Sequence, residues 1–449
     1  MNTIIKSTYL LPTAMLLLTA CSQEEGIPSV DTGDGNRIIF RASVPDSETR
    51  AQVVGKDDIQ SFFLTAFNPE DPDNKEGKLT EYFGNQVLTK DDDKGLYYSD
   101  NCLWPKKGQE ANILTFFAYY PGLFEGSSLD NGSTLTGNKA TLVYKIKDIS
   151  IPTDMADQID FITASTTGSM ADNYFSGINL NFRHQMSRIE VKAKGEHKSC
   201  DIEIAGVRLA NVPMSGNFQF QTSDADGTWT DLAKGNAEYI FRNGDAIIKV
   251  GANPVSILGR QNAGNDNCAM LIPSACTAWD YTKDAGNTSK GIYLNVLLRI
   301  IDKTPSGNGK VQYPYFDNSQ GLNAMNIDRE YFAVVRTTGT VSRRVYKNGN
   351  RYYSDKELKQ PYTLASGEEI REFGWAALPI SADWKPGYTY TYTLDYTSGV
   401  GLHSPDVTGD VSPKAGDPII SDRVGVSVSV NDWQGLNGTT TSQIVVPGS

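Results

Sequence analysis

Apolar and polar side chains alternate with a period of two through much of this chain. In IIFRASV, Ile38, Phe40, Ala42 and Val44 fall on one face. In RVGVSVSVNDW, Val424, Val426, Val428 and Val430 share a face, and Gly425, Ser427 and Ser429 take the other. In YTYTYTLDY, Tyr388, Tyr390, Tyr392 and Leu394 stand opposite Thr389, Thr391 and Thr393. A period of two in β-branched and aromatic residues predicts half-buried strands. The runs IQSFFLTAF and ILTFFAYYP are denser and predict strands covered on both faces.

One stretch changes phase. In INLNFRHQMSRIEVKAK, Ile178, Leu180, Phe182 and Met186 share one parity, and Ile189, Val191 and Ala193 share the other. A β-bulge near Ser187, or a change of partner sheet there, accounts for the slip. Glycine- and asparagine-rich turns (DNGST, DADGTW, PSGNGK, KNGNR) punctuate the strands. The best helical candidate is SGEEIREF, where Ser366 and Glu369 have capping-box spacing. Many strands between such turns predict an all-β protein of sandwiches or barrels. A domain boundary is placed near residue 196, giving an N-terminal domain over 51–195 and a C-terminal domain over 196–449.

The first residues follow another logic. Lys6 is followed by an apolar stretch from Tyr9 to Leu18, and Leu18-Thr19-Ala20 precede Cys21. The stretch is too short for a membrane span and has the layout of a secretion signal over 1–20. With its cysteine at the cut, it resembles the bacterial lipobox, which implies lipidation of Cys21. Ser22, rather than Asp, follows; by resemblance to lipoprotein sorting this favours the outer membrane. Residues 21–50 then read as a polar tether carrying one strand.

Charge and composition narrow the function. There are 53 acidic residues against 41 basic, a formal net charge of −12. That balance argues against nucleic acid and against docking on anionic lipid, both of which need clustered Lys and Arg. Attachment then falls to acyl chains. Apart from Cys21, four cysteines are spread along the chain (Cys102, Cys200, Cys268, Cys276); Cys268 and Cys276 are the closest pair. They suit either a disulfide in an exported chain or buried small apolar residues, and no spacing resembles a zinc site. Three histidines (His184, His197, His403) and no nucleophile elbow leave little for catalysis, so no catalytic residue, metal or cofactor is assigned. His184 shares the parity of Phe182 and Met186 and reads as a core histidine. KDDDK at 90–94 reads as a solvated loop, since EF-hand spacing is missing. The six tryptophans fit sandwich cores better than exposed sugar platforms, because none clusters with polar partners.

Taken in order, the lipobox, IIFRASVPDSETRA, IQSFFLTAFN, YYSDNCLWP with LTFFAYYP, IDFITAS, LNFRHQMSRIEVKAK, IAGVRLANVPMSGNF, AMLIPSACTAWD with GIYLNVLLRI, PGYTYTYTLDY and the terminal VSVNDW resemble the fimbrillin family, the subunits of type V pili. The resemblance implies two tandem β-sandwich domains of transthyretin-like topology. It implies export as a lipoprotein, cleavage by a processing protease, and polymerisation with other pilus subunits by strand exchange, in support of adhesion. Carried onto this chain, the cut falls between Arg50 and Ala51. The removable strand holds Ile38, Phe40, Ala42 and Val44. The C-terminal donor region holds Val424, Val426, Val428, Val430, Ile444 and Val446. An anchor subunit would keep its N-terminal strand, and the internal cysteines match no motif of the family. The expected location is the outer membrane through the lipid anchor, then the pilus after processing. The alternative is a monomeric outer-membrane lipoprotein that binds glycans; SDS-resistant polymers separate the two.

Overall fold

The computed structural model describes residues 36–44, 56–71, 73–137, 139–241, 245–258, 268–307, 309–314, 329–335, 341–406, 413–420 and 424–432. Cys21, Arg50, Ala51, Ile444 and Val446 lie outside them. The described chain is nearly all β. Its one α-helix is the single turn Met170–Asn173, capped by the Ser169 side chain, which accepts from the Asp172 amide.

The first sheet joins β1 (Phe40–Ser43), β2 (Ser61–Phe67), β3 (Phe83–Asp91), β4 (Leu96–Tyr98), β5 (Leu114–Tyr120), β10 (Ile162–Gly168), β11 (Ile178–Asn181) and β12 (Arg183–His184), in the order β11-β1-β4-β3-β2-β5-β10-β12. As their density predicts, β2 and β5 pair at the sheet centre with almost every residue covered. The sheet curls on itself. Phe40 of β1 meets the ring of Phe116 of β5 edge-on at 5.4 Å, although three strands separate them in the sheet. The enclosed core includes Phe62, Leu64, Trp104, Ile178 and Phe182.

The largest sheet holds β6 (Ser128–Asn131), β9 (Tyr144–Ser150), β14 (Cys200–Gln219), β15 (Thr228–Ile240), β16 (Ile248–Lys249), β20 (Tyr293–Asp302), β21 (Val311–Tyr313), β22 (Arg329–Val335), β23 (Val341–Asn348), β24 (Arg351–Tyr353), β25 (Pro361–Tyr362), β26 (Glu368–Pro379) and β29 (Leu402–His403). A third sheet holds β13 (Ser187–Lys194), β17 (Val255–Ser256), β18 (Ala269–Leu271), β28 (Tyr388–Asp395) and β30 (Gly425–Asp432). Two small ladders complete the set: β7 (Thr134–Thr136) with β8 (Lys139–Thr141), and β19 (Ala275–Cys276) with β27 (Ala382–Asp383).

The phase slip near Ser187 is a change of sheet. His184 pairs with Ile162 in the first sheet, while β13 runs parallel to β28 in the third from Arg188↔Thr389 onward. Ile178, Leu180 and Phe182 thus face one core and Ile189, Val191 and Ala193 another. Residues 187–194, placed by sequence at the end of the N-terminal domain, therefore share a sheet with C-terminal strands. Strand β14, wholly C-terminal of residue 196, in turn pairs with an N-terminal strand. Its residues 200–210 pair with β20, and its residues 215–219 pair with β9. Beyond its end, Phe220 packs on Phe117 and Tyr144, with ring centroids 5.5 and 5.6 Å away.

The expected helix at SGEEIREF is instead the start of β26. Gly367 turns with φ +86°, and the Glu368 carboxylate accepts from the Tyr362 hydroxyl and the Ala365 amide. Strand β26 pairs with β22 as far as Gly374 and with β20 from Gly374 to Pro379, and Phe373, Trp375, Ala376 and Ala377 are buried. Tertiary pairing overrides a local capping signal.

Candidate functional site: the N-terminal strand and its cradle

The alternation in IIFRASV has the consequence it predicts. Ile38 and Phe40 have no exposed surface, and Ala42 and Val44 are buried. Ile39, on the opposite parity, is buried as well, which the alternation does not reveal. Strand β1 is an interior strand. On one side it runs parallel to β11 through four residue pairs, Phe40↔Ile178 to Ser43↔Asn181. On the other, Phe40 pairs with Tyr97 of β4.

Hydrogen bonds fix both flanks. The Ile178 amide donates to Ile39 O and the Phe182 amide to Ser43 O, each at 2.8 Å. The Ile38 amide donates to Cys102 O, and the Trp104 amide to Asn36 O, again at 2.8 Å. Side chains reinforce the ladder: Asn36 Nδ2 donates to Trp104 O at 2.9 Å, Arg41 Nε to Ser176 O at 3.1 Å, and Ser43 Oγ to Asn181 Oδ1 at 2.7 Å. Arg37 pairs with Asp100 at 2.8 Å and lies over the Tyr98 ring. Gly177 admits the close approach of β11. It has φ +74°, and a Cβ there would stand 2.9 Å from Ile39 O. The flanking residues Asn36, Cys102, Trp104 and Gly177 are not legible as a site in sequence, because they join β1 only through tertiary pairing.

At the other end of the chain, β30 is an edge strand. It pairs antiparallel with β28 from Tyr388↔Asp432 to Asp395↔Gly425, and no described strand lies on its outer side. Val428 is buried, while Val424, Val426 and Val430 are half-buried against the same core.

The histidines have separate surroundings. His184 is fully buried, its Nδ1 2.7 Å from Asp160 Oδ2, and Asp160 is buried too. His197 Nδ1 lies 3.1 Å from Cys200 Sγ at the edge of a cavity of about 410 Å³ that Lys249 and Lys303 also line. Burial pushes the Cys200 thiol up to about 11. Burial, with Lys303, pulls His197 below the ordinary histidine value. At neutral pH this leaves a neutral thiol beside a neutral imidazole, the opposite of an activated cysteine–histidine pair. Cys102, Cys200, Cys268 and Cys276 are all buried free thiols. Trp104, Trp279, Trp375 and Trp384 are buried in cores, Trp229 is partly buried against one, and Trp433 lies outside the described residues. The KDDDK stretch is a turn in which Asp91 Oδ1 accepts from the Asp93 and Lys94 amides. Among the described residues, no helix is long and apolar enough to cross a membrane.

The chain belongs to the fimbrillin-like family, whose model matches residues 49–296. It is similar to a solved fimbrial protein from Bacteroides vulgatus, with 13% identity and a TM-score of 0.45 over 89% of this chain and 100% of that one. It is also similar to a fimbrial assembly protein from Parabacteroides distasonis, with 9% identity and a TM-score of 0.30 over 90% of this chain and 98% of that one. No curated protein matches the sequence.

Proposed function

We propose that this chain is a structural subunit of a cell-surface pilus. It is exported as a lipoprotein through Cys21, cut between Arg50 and Ala51, and joined to other subunits by strand exchange. The observation that carries this reading is the placement of β1, an interior strand whose inward side chains are buried and which a short connection joins to Arg50. A cut after Arg50 leaves β1 covalently attached only to the tether. Its departure uncovers the apolar seat between β11 and β4, together with the backbone groups that now pair with Ile38, Ile39 and Ser43. An opened ladder of that kind is a template for another chain. Three large apolar side chains in that seat contribute on the order of 6 kcal/mol before ordering costs. A donor strand from a neighbour, with apolar residues at the same spacing, regains that contribution. The region from Val424 to Val446 is the source we favour within this chain, with Ile444 and Val446 beyond the edge strand β30 as its apolar residues. The reading assigns no catalytic step.

The test is Arg50→Ala, expressed beside the parent and followed by unheated and boiled gels of surface material. The parent should give a ladder of SDS-resistant oligomers that lack residues 21–50. The variant should remain monomeric, with the N-terminal strand attached. Normal ladders from uncut Arg50→Ala protein would exclude assembly through this seat. Cys21→Ser should separately abolish lipidation and membrane retention, read by metabolic labelling with a fatty acid.

A further inference from the structure

The outer strands of the large sheet form a meander, β22-β23-β24-β25, whose chemistry differs from the rest of the chain. Residues 341–362 hold six basic residues against two acidic ones in a protein of net charge −12. The ladder sorts these side chains by face, because cross-strand partners point to the same side. Lys347 pairs with Tyr352, and Tyr352 with Tyr362. Arg343 and Val345 belong to the same row of β23, and Val345 pairs with Tyr331. One face thus interleaves Tyr331, Tyr352 and Tyr362 with Arg343 and Lys347. The cations lie over the rings: Lys347 Nζ is 5.1 Å from the Tyr331 centroid, and Arg343 is 5.4 Å from that of Tyr362. Tyr331 and Tyr352 rings are 5.9 Å apart.

The carboxylates of this face are engaged. Glu372 pairs with Arg329 and accepts from the Tyr331 hydroxyl, and Glu368 accepts from the Tyr362 hydroxyl at 2.7 Å. Arg343 and Lys347 are exposed and form no ion pair among the described residues. Phenol hydrogen bonds hold the Tyr331 and Tyr362 rings, and Tyr352 packs on Tyr331, so the face is an aromatic platform with two exposed cations that no described carboxylate pairs. The sheet edge beside it is unsuited to strand addition. Strand β25 has two residues and begins with Pro361, which lacks an N–H donor.

We propose that this face of the meander is a binding surface for acidic saccharides. Tyrosine rings offer flat apolar area to the C–H faces of pyranose rings. Arg343 offers a planar fork, and Lys347 a point charge, for a carboxylate or a sulfate. Binding here requires neither cleavage nor polymerisation, so it stands or falls separately from pilus assembly.

The test uses the purified protein titrated, at low and at moderate salt, with a heparin hexasaccharide, an α2,8-linked sialic acid oligomer, neutral maltohexaose and a single-stranded oligonucleotide. One or both acidic saccharides should bind and maltohexaose should not; the one that binds identifies sulfate or carboxylate as the recognised group. The double variant Arg343→Gln/Lys347→Gln should weaken binding at least about tenfold and flatten its salt dependence. Tyr352→Ala should weaken binding with the salt dependence retained. Equal affinity in the double variant, binding of maltohexaose as tight as that of the acidic sugars, or tighter binding of the oligonucleotide than of any saccharide would each overturn the assignment. Unfolding curves that match the parent show that the exposed substitutions leave the fold intact, and Lys347→Gln alone supplies a milder variant with the same expected direction.

Discussion

His403 buries its imidazole beside Tyr313, with ring centroids 5.9 Å apart, and burial pulls its pKa down to about 4 despite the opposing influence of Asp417. The unfolded chain binds this proton below its ordinary value of 6.5, and the folded chain does not. Stability should therefore fall as pH drops from 6.5 towards 4, by up to about 3 kcal/mol at the acid end. Denaturant midpoints measured across that range in the parent and in His403→Gln check this; the variant should lose most of the slope. His184→Ala should cost about 3 kcal/mol in the same assay, because a fully buried carboxylate on Asp160 loses its imidazole partner. The core position of His184 was legible from its parity with Phe182 and Met186. Its partner was not, because Asp160 is 24 residues away and reaches it only through the pairing of β10 with β12. Gly177 was equally silent in sequence. Gly177→Ala combines a left-handed backbone with a Cβ pressed on Ile39 O, and should cost about 1–3 kcal/mol. The loss should fall locally on β1, so cleavage in limited proteolysis of residues 36–50 should speed up more than global unfolding does.

At the scale of elements, alternation was the most readable signal. The strands from IIFRASV, YTYTYTLDY and VGVSVSV lie where period two places them, but Ile39, Thr389 and Thr391, on the parity opposite the expected core face, are buried as well. SGEEIREF misled because its capping spacing is local, whereas its state is set by its pairing with β22. The edge position of β30 leads to a prediction about the C-terminal region. A chain ending at residue 436 keeps the β28–β30 ladder and should fold as a monomer, whereas one ending at residue 423 uncovers β28 and the core beneath Val428. Thermal unfolding should separate the two, with the shorter chain lower by several degrees or aggregated. If the longer chain also fails to polymerise, the donor residues lie beyond 436; if it polymerises normally, they do not.

For the whole molecule, the pairing of β13 with β28 and the length of β14 make the two halves interdependent. A fragment of residues 196–449 lacks β13, and with it the central strand of the third sheet. It should be unfolded or aggregated by circular dichroism and light scattering, while the intact chain unfolds with both halves together. The all-β class was legible throughout the sequence, but this interlock was not, because it depends on which sheet each strand joins. Strand β14 itself has a mechanical consequence. Its 20 residues run from the β20 ladder to the β9 ladder along one continuous core, interrupted by register shifts against β15 and by Asn211, with φ +59°. Tension applied between the first sheet and the far strands of the large sheet travels along that backbone. The hydrogen bonds to β9, β15 and β20 lie across the line of pull, so they load together in shear instead of unzipping singly. In a filament, such a subunit passes force through that ladder and yields only the little length stored in its bulges.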